Sequence, residues 1–200
     1  ADLVNKLASY KVGVAGFDVF FPEYDRLSPT ALAAQLDGLS RNLTEELQAM
    51  PKTEEIFAES LKNMKVVLGQ GVLNSKLPLG SSKPIKANIV LTGDRAKVLS
   101  RVPAFPGILR NVSELEEAAA GLGMVALEPE IDGVVRRVNM GIKIGEQIYP
   151  TLTLEMIRLA LGQENLVFNV DNEAQTSSIK MRGLKQIGTP EIPTDARFRT

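Results

Sequence analysis

Asp18, Glu23, Asp25 and Arg26 fall in one short stretch, GFDVFFPEYDRLSP (16–29), where an apolar run breaks into charge before a helix start. Ligands bind at polar strand ends in open α/β sheets. The three carboxylates are therefore candidates for acid–base work or for an oxygen-ligand site that would take calcium or magnesium. Their spacing lacks the alternating carboxylates and glycine of a calcium loop. Local bonds from Asp18 and Asp25 to backbone amides, or pairing with Arg26, account for them more simply. A second group is Glu128, Arg136 and Arg137. In VVRRVNM, strand alternation places Arg136 on the face of Val134, Val138 and Met140, and Arg137 with Val135 and Asn139. Arg136 is thus expected on the more apolar face. There it needs a carboxylate partner, Asp18 or Glu128, or a bound anion. Either arginine could hold an acidic small ligand.

The rest of the inventory argues against catalysis. The 200 residues include no histidine and no cysteine, which removes cysteine nucleophiles, Ser-His-Asp triads and nearly all zinc chemistry. Ser28, Thr53 and Ser113 read as helix caps. LGQGVLNS (68–75) and MGIKIGE (140–146) match no phosphate-cradling pattern, and Gly123 and Gly141 suit turns or close packing. No catalytic residue, metal site or cofactor is assigned. Lys and Arg number 23 against 24 Asp and Glu, so charge draws the chain neither to nucleic acid nor to an anionic membrane. No apolar run approaches the roughly 20 residues of a membrane helix. The start, ADLVNKLASY, has neither an initiator Met nor a signal-peptide pattern. It reads as a piece of a larger protein whose anchor lies outside these residues.

The elements that must position these groups follow from periodicity. Leu3, Leu7 and Tyr10 mark an opening helix, and VGVAGFDVFF (12–21) reads as a strand buried on both faces. Ser28 and Pro29 start a helix with Leu32, Leu36 and Leu39 on one face. A second helix follows Thr53, with Phe57, Leu61 and Met64 as its stripe and Glu54 and Glu55 at its positive end. KVVLGQGVL (65–73) is a strand, residues 74–86 a surface loop, and ANIVL (87–91) an edge strand. SELE (113–116) is a capping box before a short helix that Gly121 ends. Asp132–Gly133 predicts a type I′ hairpin, with Pro129 confining one arm to an edge. TLTLEMIRLAL (151–161) is a buried helix, and NLVFNV and SSIKMRGL form a C-terminal hairpin. The tail TPEIPTDARFRT (189–200) is expected to run extended and away. With 44% hydrophobic residues, residues 1–200 suffice for one α/β domain, a mixed sheet flanked by helices.

AGFDVFFPEYDRLSP, EIFAESLKNMKVVLGQ, RNVSELEEAAAGLGMVALEPEIDGVVRRV and IYPTLTLEMIRLALG occur in that order. Together they resemble the CHASE2 sensory domain over most of residues 7–163, reaching IPTD (192–195). The resemblance implies an extracytoplasmic input domain of a bacterial membrane receptor. Such a receptor carries transmembrane helices and a cytoplasmic output: a nucleotide cyclase, histidine kinase, cyclic-di-GMP enzyme or protein kinase. The segment Leu27–Lys52 is most similar to members attached to adenylate or guanylate cyclases. The family pattern also places a strand and a tryptophan-containing segment upstream, and this chain has no Trp. That strand and the membrane helices are expected outside residues 1–200. The implied partners are an unknown small-molecule or protein signal and a second copy of the receptor, with contact to the membrane only through flanking helices. The alternative is a structural or dimerisation module that binds no small molecule. An oxygen-ligand metal enzyme is the third and weakest option.

Overall fold

A computed structural model describes residues 1–36, 38–75, 85–127, 130–171, 177–182 and 190–200. In chain order the elements are α1 (Asp2–Ser9), β1 (Ala15–Phe17), α2 (Pro29–Gln35), α3 (Arg41–Ala49), α4 (Thr53–Leu61), β2 (Val66–Leu73), β3 (Asn88–Thr92), α5 (Arg95–Arg101) and β4 (Ala104–Phe105). They continue with β5 (Gly107–Leu109), α6 (Ser113–Ala118), β6 (Gly121–Val125), β7 (Gly141–Ile144), β8 (Gln147–Pro150), α7 (Leu152–Ala160), β9 (Asn165–Val170), β10 (Ser177–Arg182) and β11 (Glu191–Thr194). This is the expected α/β class, with its strands shared among three sheets.

The first sheet is built around β2, whose VVLGQG run is buried throughout. Parallel β1 and antiparallel β5 lie along one edge of β2, and parallel β6 lies along the other. The second sheet runs β11-β10-β9-β3, antiparallel except for the parallel β9–β3 pair. It contains the expected hairpin, in which Ile179 faces Phe168. β4, β7 and β8 form the third sheet. A Met124–Thr151 bridge joins the first sheet to the start of α7. Gly123 allows this approach, because a Cβ there would lie 2.7 Å from the Leu152 nitrogen.

Three apolar clusters result. Val66, Leu68 and Leu122 pack with Leu61 of α4 and Leu115 of α6. Val98, Leu154, Leu166, Phe168 and Ile179 join α5 and α7 to the second sheet. Ile108, Met124, Ile142 and Tyr149 fill the space between the first and third sheets.

Several local expectations are corrected. α1 buries Val4, while Leu3 and Tyr10 face solvent. β1 is three residues at a sheet edge, half-buried Ala15 and Phe17 around exposed Gly16, since it has one neighbour among the described residues and the chain then leaves the sheet. The helix after Ser28 is two short helices with no buried residue: Gly38 takes a positive φ of 82°, and Ser40 caps the second by accepting from the Leu43 amide at 3.3 Å. Asp94 caps α5, which periodicity did not reveal. Ser113 is the first residue of α6, preceded by Val112 at the N-cap, and its side chain makes no capping bond. The tail does not run away. Asp195 closes a turn, Phe198 is fully buried edge-to-face on Phe168 at 5.3 Å, and Thr200 pairs with Val138.

Candidate functional site

The first group of site residues comes to rest on a solvent-facing turn. After Phe17 the chain is held by Asn111, whose Oδ1 accepts from the Phe21 amide at 2.7 Å while its Nδ2 donates to the Gly69 carbonyl at 2.9 Å. Asp25 Oδ1 accepts from the Leu27 amide at 2.9 Å, the local bond expected of an acidic turn residue, and the Asp25 amide donates to Glu54. Arg26 pairs with Glu23 at 2.8 Å, both largely exposed. Asp18 is exposed and has no hydrogen bond or ion pair to the other candidates among the described residues. Glu23 and Asp25 border an apolar cleft beside Phe21 and Phe57. Among the described residues no group of three or more acidic side chains could hold a metal.

The second group behaves differently from expectation. Glu128 lies outside the described residues. Asp132–Gly133 does turn the chain, but through a three-residue loop. The Gly133 amide donates to the Glu130 carbonyl at 2.8 Å, the Glu130 amide donates to Val134 at 3.1 Å, and within the loop Gly133 takes the positive φ, 78°. Among the described residues no ladder forms over 134–137, so the alternation that would bury Arg136 does not operate there. Its side chain is 52% exposed, and its partner is not Asp18 but Asp132, gripped through two bonds of 2.9 and 2.7 Å.

From that pair a chain of alternating charge runs along the surface. Arg136 also reaches Glu130 at 3.8 Å, Glu130 accepts from Arg137 at 2.7 Å, Arg137 meets Asp195 at 3.5 Å, and Asp195 accepts from Arg199 at 2.8 Å. Asp195 is the hub of the C-terminal turn, accepting also from the Arg197 and Arg199 amides at 2.8 and 3.0 Å. Burial pushes its carboxyl upward, but these two amides and the Arg199 guanidinium outweigh that and hold it below the usual carboxylate value. The two bonds from Arg136 lower the carboxyl of Asp132, and Asp132 in turn raises Arg136.

Glu130, Asp132, Arg136 and Arg137 border a cleft of about 790 Å³ that Val72, Phe105 and Ala126 also line. Arg197 and Arg199 line it beside Arg136 and Arg137. The periodicity of the tail did not reveal these two arginines or Asp195. The available signal was Asp-x-Arg-x-Arg (195–199), where an aspartate can accept from amides two and four residues on. Gly141, singled out from sequence, serves close packing: a Cβ there would lie 2.7 Å from the Phe168 ring.

Two other arginine–carboxylate groups are sealed inside. Glu116, 1% exposed, binds Arg110 and accepts from Gln70 at 2.8 Å and from the Asn111 amide at 3.0 Å. Glu155 of α7 holds Arg158 through bonds of 2.6 and 2.7 Å, and Arg158 donates onward to the Gln163 carbonyl at 2.7 Å. Both groups brace secondary structure and satisfy their own donors and acceptors.

The family model described as the CHASE2 domain matches residues 1–199. No curated protein and no solved structure is matched by the chain.

Proposed function

The chain belongs to the CHASE2 family, an extracytoplasmic sensory domain family, and from that premise we propose that it is the input domain of a bacterial transmembrane receptor. The observation that carries this proposal is the match over residues 1–199. Residues 1–200 act as one sensory unit outside the cytoplasm. They bias a cytoplasmic output, an adenylate or guanylate cyclase or a histidine kinase, within a homodimeric receptor. Among the described residues no helix is long and apolar enough to cross a membrane; anchoring is assigned to flanking segments.

The signal is read at the cleft between the Glu130–Arg137 loop and the C-terminal turn. A sensor needs a ligand that binds two conformations with different affinity. The charged chain around this cleft can exchange internal carboxylates for external ones, and it ends on Asp195, which fixes the final turn. A shift of that turn is the mechanical output.

The test uses the full-length protein in its native membrane. A cysteine introduced at exposed Ser9, where residues 1–200 contain none, should react in intact cells with a membrane-impermeant maleimide. Deleting residues 1–200 should change the cyclase or kinase activity of isolated membranes. Labelling only after lysis, or an output indifferent to the deletion, would overturn the proposal.

A further inference from the structure

Within the sensory role proposed above, on which this inference rests, we infer that the cleft takes a small organic anion: a carboxylate on an apolar body, with Arg197 as its principal cation. Four guanidinium groups line the cleft, and the carboxylates of Glu130, Asp132 and Asp195 engage three of them. Arg197 is the exception. Its backbone amide donates to Asp195, but its side chain has no acidic partner among the described residues. Its five N–H donors are therefore available in a fork that suits a carboxylate. Among the described residues the four arginines outnumber the carboxylates that engage them by one, which favours an anion over a neutral or cationic ligand.

The apolar requirement comes from a different observation. Ile131 stands completely clear of the protein surface and Leu127 is 65% exposed, both on the cleft wall. Together with half-buried Val72, Phe105 and Ala126 of the same lining they give the depression an apolar side that an apolar body would cover. The cleft volume lies in the range of small-molecule sites, roughly 300–1,000 Å³. A ligand seated there would put its carboxylate on Arg197 and its body against Ile131 and Leu127. It would touch the Asp195 turn directly, because Arg197 belongs to that turn.

The probe is 2-naphthoate, titrated into the 200-residue chain by calorimetry and by backbone amide NMR. Its neutral counterpart 2-naphthylmethanol and inorganic phosphate serve as comparison ligands. We expect saturable binding of 2-naphthoate with amide shifts over 130–137 and 195–199, and binding at least tenfold weaker for both comparison ligands. Arg197→Gln should weaken 2-naphthoate about tenfold or more, as loss of a charge-assisted hydrogen bond does. Ile131→Ser should weaken it several-fold. Both positions are exposed, so both variants should melt with the wild type. Equal affinity for acid and alcohol, phosphate binding as tight as naphthoate, or indifference to Arg197→Gln would overturn the inference. So would sedimentation showing a dimer that Ile131→Ser dissociates, since a second copy would then be what covers the wall. If the cleft fails these tests while deletion of residues 1–200 still alters receptor output, the ligand class falls and the sensory role stands.

Discussion

Two arginine–carboxylate assemblies use the same chemistry to opposite ends. Around Glu116, every oxygen is engaged by Arg110, Gln70 or the Asn111 amide, and the carboxylate is closed off from water. Around Glu130, the partners Arg136 and Arg137 stay about half exposed. Removing a charge from water costs several kcal/mol, so a sealed pair holds only while its geometry is complete. An open pair gains little and loses little. The contrast separates scaffold from site: the sealed group cannot exchange partners without unfolding its surroundings, and the open chain can.

Glu116→Ala should show the largest effect, because it takes the buried carboxylate from Arg110 and leaves the Gln70 side chain and the Asn111 amide without their acceptor. We expect a loss of about 3–5 kcal/mol in urea unfolding, the cost of breaking a buried pair. A loss below about 1 kcal/mol would erase the distinction between the two assemblies. Asp195→Asn comes next. The carboxylate lies between the extremes, 28% exposed and bonded to two amides and Arg199. Discounted for solvent screening, its removal should cost about 1–2 kcal/mol and raise hydrogen exchange at Phe198 and Thr200.

A smaller effect should appear on acidification. Asp132 and Asp195 both have depressed folded-state values. Their stabilisation is therefore complete above the unfolded aspartate value, near about pH 4, and is lost as pH falls through the folded values. Melting temperature should hold steady from pH 7 to about 5 and decline below about 4. The decline should be shallower in Asp195→Asn; an identical profile would remove Asp195 from the account. Arg136→Gln should matter least, with a melting temperature close to that of the wild type, because both members of its pair with Asp132 are more than half exposed.

What could be read in the sequence follows the same division. β2 and the β9–β10 hairpin were legible because continuous or alternating β-rich runs report burial directly. β1 was misjudged because burial depends on neighbours: the same apolar composition at a sheet edge leaves Val19 more than half exposed. The error at Arg136 has a similar origin. Alternation predicts a face only where a ladder exists, and among the described residues none forms over 134–137. Arg136 and Arg137, singled out from the sequence, do line the cleft. Their partners were not legible, because Glu130 and Asp132 belong to a turn whose type decides where their carboxylates point. Asp195 lies far along the chain. Glu116 was read as half of a capping box. Instead it reaches back past the helix start to the Asn111 amide, a distinction that depends on where α6 begins.

The central claim is that the open arginines receive a ligand and the sealed ones do not. The most direct measurement follows arginine Nε–Hε resonances in ¹⁵N-labelled protein, first for solvent exchange and then on addition of 2-naphthoate. The account predicts slow exchange and unchanged shifts at Arg110 and Arg158, with fast exchange and ligand-dependent shifts at Arg136, Arg137 and Arg197. Uniform exchange across both sets, or ligand shifts centred on Arg110, would contradict it.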